Sequence, residues 1–415
     1  MRILKWLPIA LAFSCDSPVA PSPSPRAPAS EPWADKLLAS ASGSADGVRG
    51  VKPIVSPNAE IAAFEISGRG SYYIIGETRT EIFDSVQDAS FSPDGRLAFL
   101  ASRGKDVYVI VGGHKEGPFS WAGQVAFSPD GRRVAYGAAT GEKQFVVSDG
   151  KRGEEFDQVG EIVFSTDGAS LAHIAWNGNR CFWVQDGRRG EEFEGLNSLG
   201  FVGSEPIAAA KKNGRWTVVK GGSRSEEFDR IDHLRISANR HAYAFAAAQD
   251  GQWNMISQSQ KGEGFDGIGP PVLSADGLRM AYFAQSSGKG ILMVDGRRIE
   301  QGRSPAFSPD GKTFAYVEGE AFKAKATVVI GDTRGETFTD VLGEIQFSPR
   351  GAAAYVGVVE SKKAALVVGE QKIELSFHPI PDCHGTFIHF SPDGSRVAVI
   401  EAGGQEIWRR VFDVQ

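Results

Sequence analysis

From residue 50 onward the chain alternates short apolar runs with polar turns. VYVIV at 107–111, QVAF at 124–127 and LMV at 292–294 are typical, each bounded by Gly, Pro, Asp or Ser. Runs of this length, rich in Val, Ile, Tyr and Phe, predict β-strands rather than helices. No helical periodicity is sustained after residue 50. Before it, WADKLLAS at 33–40 reads as two turns of helix.

One turn recurs. FSPDG stands at 91–95, 127–131, 307–311 and, with the same letters, 390–394. FSTDG at 164–168, LSADG at 273–277 and FSPRG at 347–351 are near copies. Ser suits the first position of a type I turn, Pro pre-sets φ at the second, Asp tolerates the third and Gly closes it. The marker serines Ser56, Ser92, Ser128 and Ser165 are spaced 36, 36 and 37 residues apart; Ser237, Ser274, Ser308, Ser348 and Ser391 continue the series. The double gap between Ser165 and Ser237 holds a degenerate copy, FVGSEPIAAA at 201–210, giving ten units.

Each unit carries three more landmarks. A triplet with central alanine follows the turn: LAF 97–99, VAY 134–136, LAH 171–173, MAY 280–282, FAY 314–316 and VAV 397–399, with IAA 61–63, IAA 207–209, HAY 241–243 and AAY 353–355 completing the set. A small side chain there lets neighbouring sheets approach. Next comes an apolar run ending in a tight hairpin, as in VVSDGKR 146–152, WVQDGRR 183–189 and MVDGRR 293–298. Asp-Gly between strands predicts a type I′ turn, with φ positive at both residues. Last is a charged segment with an aromatic anchor: EEFDQV 154–159, EEFEGL 191–196 and EEFDRI 226–231. Charge suits an exposed edge strand.

Four short strands per unit, repeated about ten times, make an all-β fold, a β-propeller spanning 51–415. The junction at 228–245 contains no linker, which favours one wide ring over two five-bladed rings. WRRVFDV at 408–414 reads as a complete fourth strand, so the ring is expected to close without exchanging a strand between its ends. The units resemble the WD-repeat-like SPDG repeats of TolB-type periplasmic proteins and of the non-catalytic propellers in prolyl-oligopeptidase-like enzymes. That resemblance implies the fold and, from the TolB-type proteins, a partner-binding role.

The amino terminus is an address. MRILKWLPIALAFSC places Arg2 and Lys5 before an apolar run too short to span a bilayer, a secretory signal over 1–15. Its ending resembles a bacterial lipoprotein signal, with small Ser14 before Cys15, which implies lipidation of Cys15 and a membrane anchor. An ordinary signal with an incidental cysteine is the other reading. The Pro/Ser/Ala tract at 16–32 reads as a disordered tether, and 33–50 as a short lead-in to the ring.

Composition narrows the function. Of 415 residues, 50 are Gly and 21 Pro, consistent with many turns; the net charge of −6 argues against a nucleic-acid partner. The repeated Asp94, Asp130, Asp167, Asp276, Asp310 and Asp393 would ring one rim, as cation ligands or as turn chemistry; Arg350 replacing Asp in the turn at 347–351 favours the turn. The loop 376–390 gathers His378, Asp382, Cys383, His384 and His389, all metal-ligand types in a spacing that matches no zinc signature. The paired Glu154–Glu155, Glu191–Glu192 and Glu226–Glu227 read as solvated edge charge. Trp121, Trp176, Trp183, Trp216, Trp253 and Trp408 read mostly as core. No nucleophile elbow occurs, no catalytic residues are assigned and no cofactor is implied.

These features lead to a non-enzymatic scaffold or binding propeller, lipid-tethered to the bacterial envelope and facing an envelope protein or a glycan. Two alternatives stand beside it. One is a glycosidase- or lyase-like enzyme with its site in the central channel; the other is a ligand or metal sensor using the 376–390 loop.

Overall fold

The computed structural model describes residues 35–40, 50–67, 70–76, 78–258, 260–319, 325–360, 363–376, 379–380, 387–403 and 406–414. Among them the secondary structure is β-strand, with no α-helix. Ten antiparallel sheets follow one another along the chain and close a single ring, a ten-bladed β-propeller. The third blade shows the plan: Trp121–Phe127, Val134–Ala139, Gln144–Ser148 and Lys151–Phe156, paired in that order. First strands of five blades line one cavity, so the first strand is innermost; the fourth is largely exposed.

The tight hairpins have the expected geometry. Asp149 and Gly150 have φ of 51° and 73°, and Asp186 and Gly187 have 48° and 78°, as a type I′ turn requires. The repeated serine does more than open a turn. Ser128 is buried, its Oγ accepts the Arg133 N–H at 2.9 Å, and it donates to Asp130 Oδ1 at 2.6 Å. Asp130 in turn accepts the Arg132 N–H at 3.1 Å, and Gly131 N–H donates to the Ser128 carbonyl at 2.8 Å. Ser165, Ser274, Ser308 and Ser391 make the same pair of side-chain bonds. Gly131 stands at φ 71°, and a Cβ there would come within 2.9 Å of Asp94 Oδ1 in the preceding blade. The turns therefore stack around one face of the ring. The fifth blade lacks this turn and uses a short hairpin between Val202 and Glu205 instead.

Neighbouring blades are joined by a plug. The aromatic anchor ending one blade enters the next: Phe119 meets Tyr136 at 6.0 Å, Phe228 meets Phe245 at 6.0 Å, Phe265 meets Tyr282 at 6.4 Å and Phe338 meets Tyr355 at 6.0 Å between ring centroids. The receiving ring is the residue after the column alanine, which is Ala135, Ala244, Ala281 or Ala354 in these four blades. His173 fills that slot in the fourth blade, 5.8 Å from Phe156. In the fifth the residue after the column is Ala208, and Trp183 of the preceding blade stacks on Phe193 at 5.7 Å instead.

The alanine column holds with three corrections. Register places Ala135 opposite Ser148, one residue before the hairpin Asp149. The equivalents in the first and sixth blades are Ala63, opposite Ile75, and Ala244, opposite Ser257, rather than the central Ala62 and Ala242 of their triplets. In the fifth it is Ile207, opposite Lys220, rather than Ala208. Gly200 faces Ile207 across the inner strand pair, so the added bulk meets no side chain there.

Two expectations at the chain ends are overturned. The segment expected to be helical contains a strand, Lys36–Ser40, and this strand is the outer edge of the last blade. Glu406–Asp413 is therefore the third strand there, not the fourth, and both ends of the chain share one sheet. Leu38 and Ala39, 4% and 1% exposed, pack with Ile407 and with Phe64, Ile66 and Tyr72 of the first blade. That burial outweighs the helical bias of the short run Leu37–Leu38–Ala39. Arg409, nearly buried, pairs with Glu60 of the first blade at 2.5 Å, and Arg410 pairs with Asp35 at 3.3 Å.

Two tests follow from these contacts. Leu38→Ala should destabilise the ring by about 2–5 kcal/mol, the cost of emptying a packed apolar site, read as a lower denaturation midpoint; an unchanged midpoint would show that the closing strand adds nothing. The second concerns acid. Burial pushes His173 down to about 4, and its Nε2 has no partner. The serine hydroxyls and then the backbone N–H groups hold Asp130, Asp167, Asp276 and Asp310 below the usual aspartate value of 3.8. In both cases the unfolded chain takes up protons first, so stability falls as pH drops. Melting temperature should decline from pH 6.5 towards about 4 through His173, then again below 3.8 through the aspartates. His173→Leu should make the upper limb shallower and leave the share of His233, which burial lowers in the same direction; an unchanged slope there would remove His173 as a cause.

Candidate functional site

The inner strands break register at the same place in blade after blade. Pairing slips between Gln87 and Ser90, Gly123 and Ala126, Val159 and Ile162, Asn197 and Gly200, Asp232 and Arg235, and Arg303 and Ala306. Asp88, Gln124, Ser198, His233 and Ser304 within these bulges have φ between 51° and 57°. A bulge sets two residues against one and re-aims a side chain; two of these residues, Gln124 and Ser198, line a cavity. Trp121 and Trp176 lie against Gly123 and Gly160 beside two of them, where a Cβ would fall 2.8 Å and 2.6 Å from the indole rings.

Six consecutive blades enclose a cavity of about 670 Å³ on the face of the stacked turns. Pro57, Pro93 and Pro129 of the turns stand at its mouth. Phe127, Phe164, Val125 and Val163 give an apolar wall, and Gln124, Glu161, Ser198, Arg235 and Arg240 supply polar groups. The phenyl rings are fixed from behind: the Arg96 guanidinium lies 5.7 Å from the Phe127 ring, and Arg133 lies 5.0 Å from Phe164. Arg133 also donates to the Gly168 and Ala169 carbonyls of the next turn, both at 2.8 Å, and to Asp149 at 2.9 Å. Glu161 is the carboxylate among the lining residues; its Oε2 accepts the Leu199 N–H of the next blade at 2.8 Å. Burial lowers the pKa of His233 in the neighbouring bulge.

The residues singled out in the sequence fall elsewhere. The repeated aspartates Asp130, Asp167, Asp276, Asp310 and Asp393 each accept from their own turn's serine, and Asp94 does so from Ser92. They serve the turns. Of the 376–390 candidates, His378, Asp382, Cys383 and His384 lie outside the described residues, as does Cys15. His389 is described and buried. Its Nδ1 donates to the Pro57 carbonyl at 3.1 Å, joining the last blade to the first. Among the described residues no three His, Cys, Asp or Glu side chains gather as a metal site. Cys181 is a free, buried thiol, and burial pushes it up to about 11.

Within the glutamate pairs, Glu154 and Glu191 prove more specific than solvated charge. Glu154 accepts from Arg189 and Glu191 from Arg224, each one blade on, and Glu263 accepts from Arg298 at 2.7 Å. The same arginines lie over the anchoring rings: Arg189 is 5.4 Å from Phe156 and Arg298 is 5.7 Å from Phe265. Trp183 is core, Trp121 is partly exposed, and Trp176, Trp216, Trp253 and Trp408 are half-buried.

Sequence reasoning missed the bulges and the arginines of the sixth blade. For Arg240 a signal existed, since ISANR at 236–240 aligns with FSPDG and puts Arg at the glycine position. The bulges leave no such trace.

No known family profile matches the chain, and no curated protein does. Solved structures do match. One is a crystal structure of a eukaryotic initiation factor, 12% identical with a TM-score of 0.47, covering 79% of this chain and 97% of that one. Another is the dihydro-heme d1 dehydrogenase NirN in complex with DHE, 12% identical with a TM-score of 0.37, covering 76% and 81%. At that distance neither similarity bears on chemistry.

Proposed function

We propose that the protein is a non-enzymatic binding propeller, held to the bacterial envelope through a lipid on Cys15, that offers its channel mouth to an envelope protein or a glycan. The observation that carries this reading is the cavity. It is built from six blades on a stiffened wall, of a size that suits a ligand or an inserted loop. The position of Lys36–Ser40 supports it: the strand lies at the outer edge of the last blade, so a tether before it would leave the circumference and keep the mouth clear.

The test uses the full chain expressed in a bacterial envelope. A fatty-acid probe should label the protein and should fail to label Cys15→Ser. Gln124 is exposed on its bulge. Gln124→Trp should fill the mouth and reduce recovery of a cross-linked envelope partner or glycan at least ~10-fold, with the melting temperature unchanged. Label retained on Cys15→Ser would remove the anchor. Equal recovery with Gln124→Trp, or turnover of a peptide or sugar by the purified protein, would remove the binding role.

A further inference from the structure

The turn residue that is usually glycine is left-handed throughout: Gly95, Gly131, Gly168, Gly277, Gly311, Gly351 and Gly394 have φ between 68° and 90°. In the sixth blade that position is Arg240, at φ 58°. A long side chain there costs about 1 kcal/mol relative to glycine, and nothing in the turn requires it. The backbone is held as in the other copies, with Arg240 N–H donating to the Ser237 carbonyl at 2.9 Å and its own carbonyl accepting Gly203 N–H at 2.9 Å. The side chain lines the cavity. It is half-buried, its Nε is closed off from solvent without a hydrogen-bond partner, and no carboxylate of the described residues lies within ion-pair distance.

A second guanidinium lies on the same wall. Arg235 is in the bulge of the sixth blade, also half-buried, and its one side-chain bond is from Nη1 to the neighbouring Leu234 carbonyl at 3.2 Å. The residues in the same register of other blades are Ser90, Ala126, Val163, Gly200 and Ala306, so the charge is particular to this blade. The nearby acids are engaged: Asp232 pairs with Arg230 at 2.8 Å, and Glu161 accepts the Leu199 N–H. By contrast Arg96, Arg133 and Arg279 of other turns are each tied to the next turn's carbonyls. A guanidinium keeps its charge at any ordinary pH, and burying it without a counter-ion is costly.

We propose that the cavity binds an organic anion, with its carboxylate or phosphate held by Arg235 and Arg240 and its apolar body against Phe127 and Phe164. This rests on reading the cavity as a binding site and names its ligand chemistry. Arg240 then accounts for its own strain: the turn accepts a left-handed arginine because the site needs a donor fork at that point. Paired planar forks suit an anion with two or three oxygens.

Calorimetric titration of the purified full chain at low salt tests it, with benzoate, phenyl phosphate and neutral benzyl alcohol as probes. Either anion should bind saturably and benzyl alcohol should not; the tighter anion identifies the source. Arg240→Gly restores the residue the turn prefers, so it should melt no lower than the parent while losing at least ~10-fold in anion affinity. Arg235→Gln should weaken binding similarly. The assignment is overturned if neither anion binds below about 10 mM, if benzyl alcohol binds as well, or if neither substitution changes affinity. An Arg240→Gly protein melting well below the parent would assign the arginine to packing and also overturn it. The two readings fail separately. Partner recovery with no anion binding would leave the binding role standing and sink the anion site, and anion binding without any partner would do the reverse.

Discussion

A sheet of four short strands has two apolar faces and can cover neither alone. Every blade must therefore bury both faces against its neighbours, and the contact between blades is what the rest of the molecule depends on. The aromatic anchor of one blade packs between that blade's own alanine column and the ring that follows the column in the next. Phe338 against Tyr355 and Phe265 against Tyr282 are two copies of one joint. Ala315 beside Phe338 and Ala244 beside Phe265, both fully buried, leave the space for it. A larger residue in that column needs a matching loss of bulk, as Ile207 shows by facing Gly200.

Two polar systems fix the blades that the plugs hold together. On one face, the buried serine hydroxyls satisfy turn N–H groups and donate to the aspartates, so the stacked turns carry few unmet polar groups into the interior. Around the circumference, Glu154 with Arg189 and Glu263 with Arg298 cross from blade to blade over the anchoring rings. Exposed ion pairs of this kind each contribute at most about 1 kcal/mol. Their value is in orientation: each arginine is held both by a carboxylate and by a phenyl face. The channel wall inherits this rigidity, because its phenyl rings are backed by arginines already bonded to the next turn.

Much of this was legible in the residues. Asp149–Gly150 and Asp186–Gly187 announce type I′ hairpins because few other residues accept that backbone. FSPDG reads as a turn for the same local reason, and its spacing gives the blade count. What local chemistry does not dictate was harder to read. KLLAS at 36–40 carries a short apolar run that suits helix and strand alike, and only its partner Glu406–Asp413, at the far end of the chain, decides. The triplets at 61–63, 207–209 and 241–243 hide their register because several alanines stand side by side. The inner bulges at Gln124 and Ser198 have no residue signature, since side chains as different as Asp88, Gln124, Ser198 and His233 hold the left-handed position. For the candidate site, the apolar wall was visible as QVAF and EIVF, whereas the unpaired charge of Arg235 and Arg240 emerged only once ion-pair partners were known.

The sharing of one sheet by both chain ends has a kinetic side. Asp35 and Arg410 meet although 375 positions separate them. Nine blades can assemble in order as the polypeptide lengthens, each docking on the one before, but the tenth has no outer edge until the opening strand returns to it. Throughout synthesis that strand stays uncommitted, and the growing array ends in an uncovered apolar face. Contacts of such long range form late, so the circle is joined in a final step, after the other nine blades have docked.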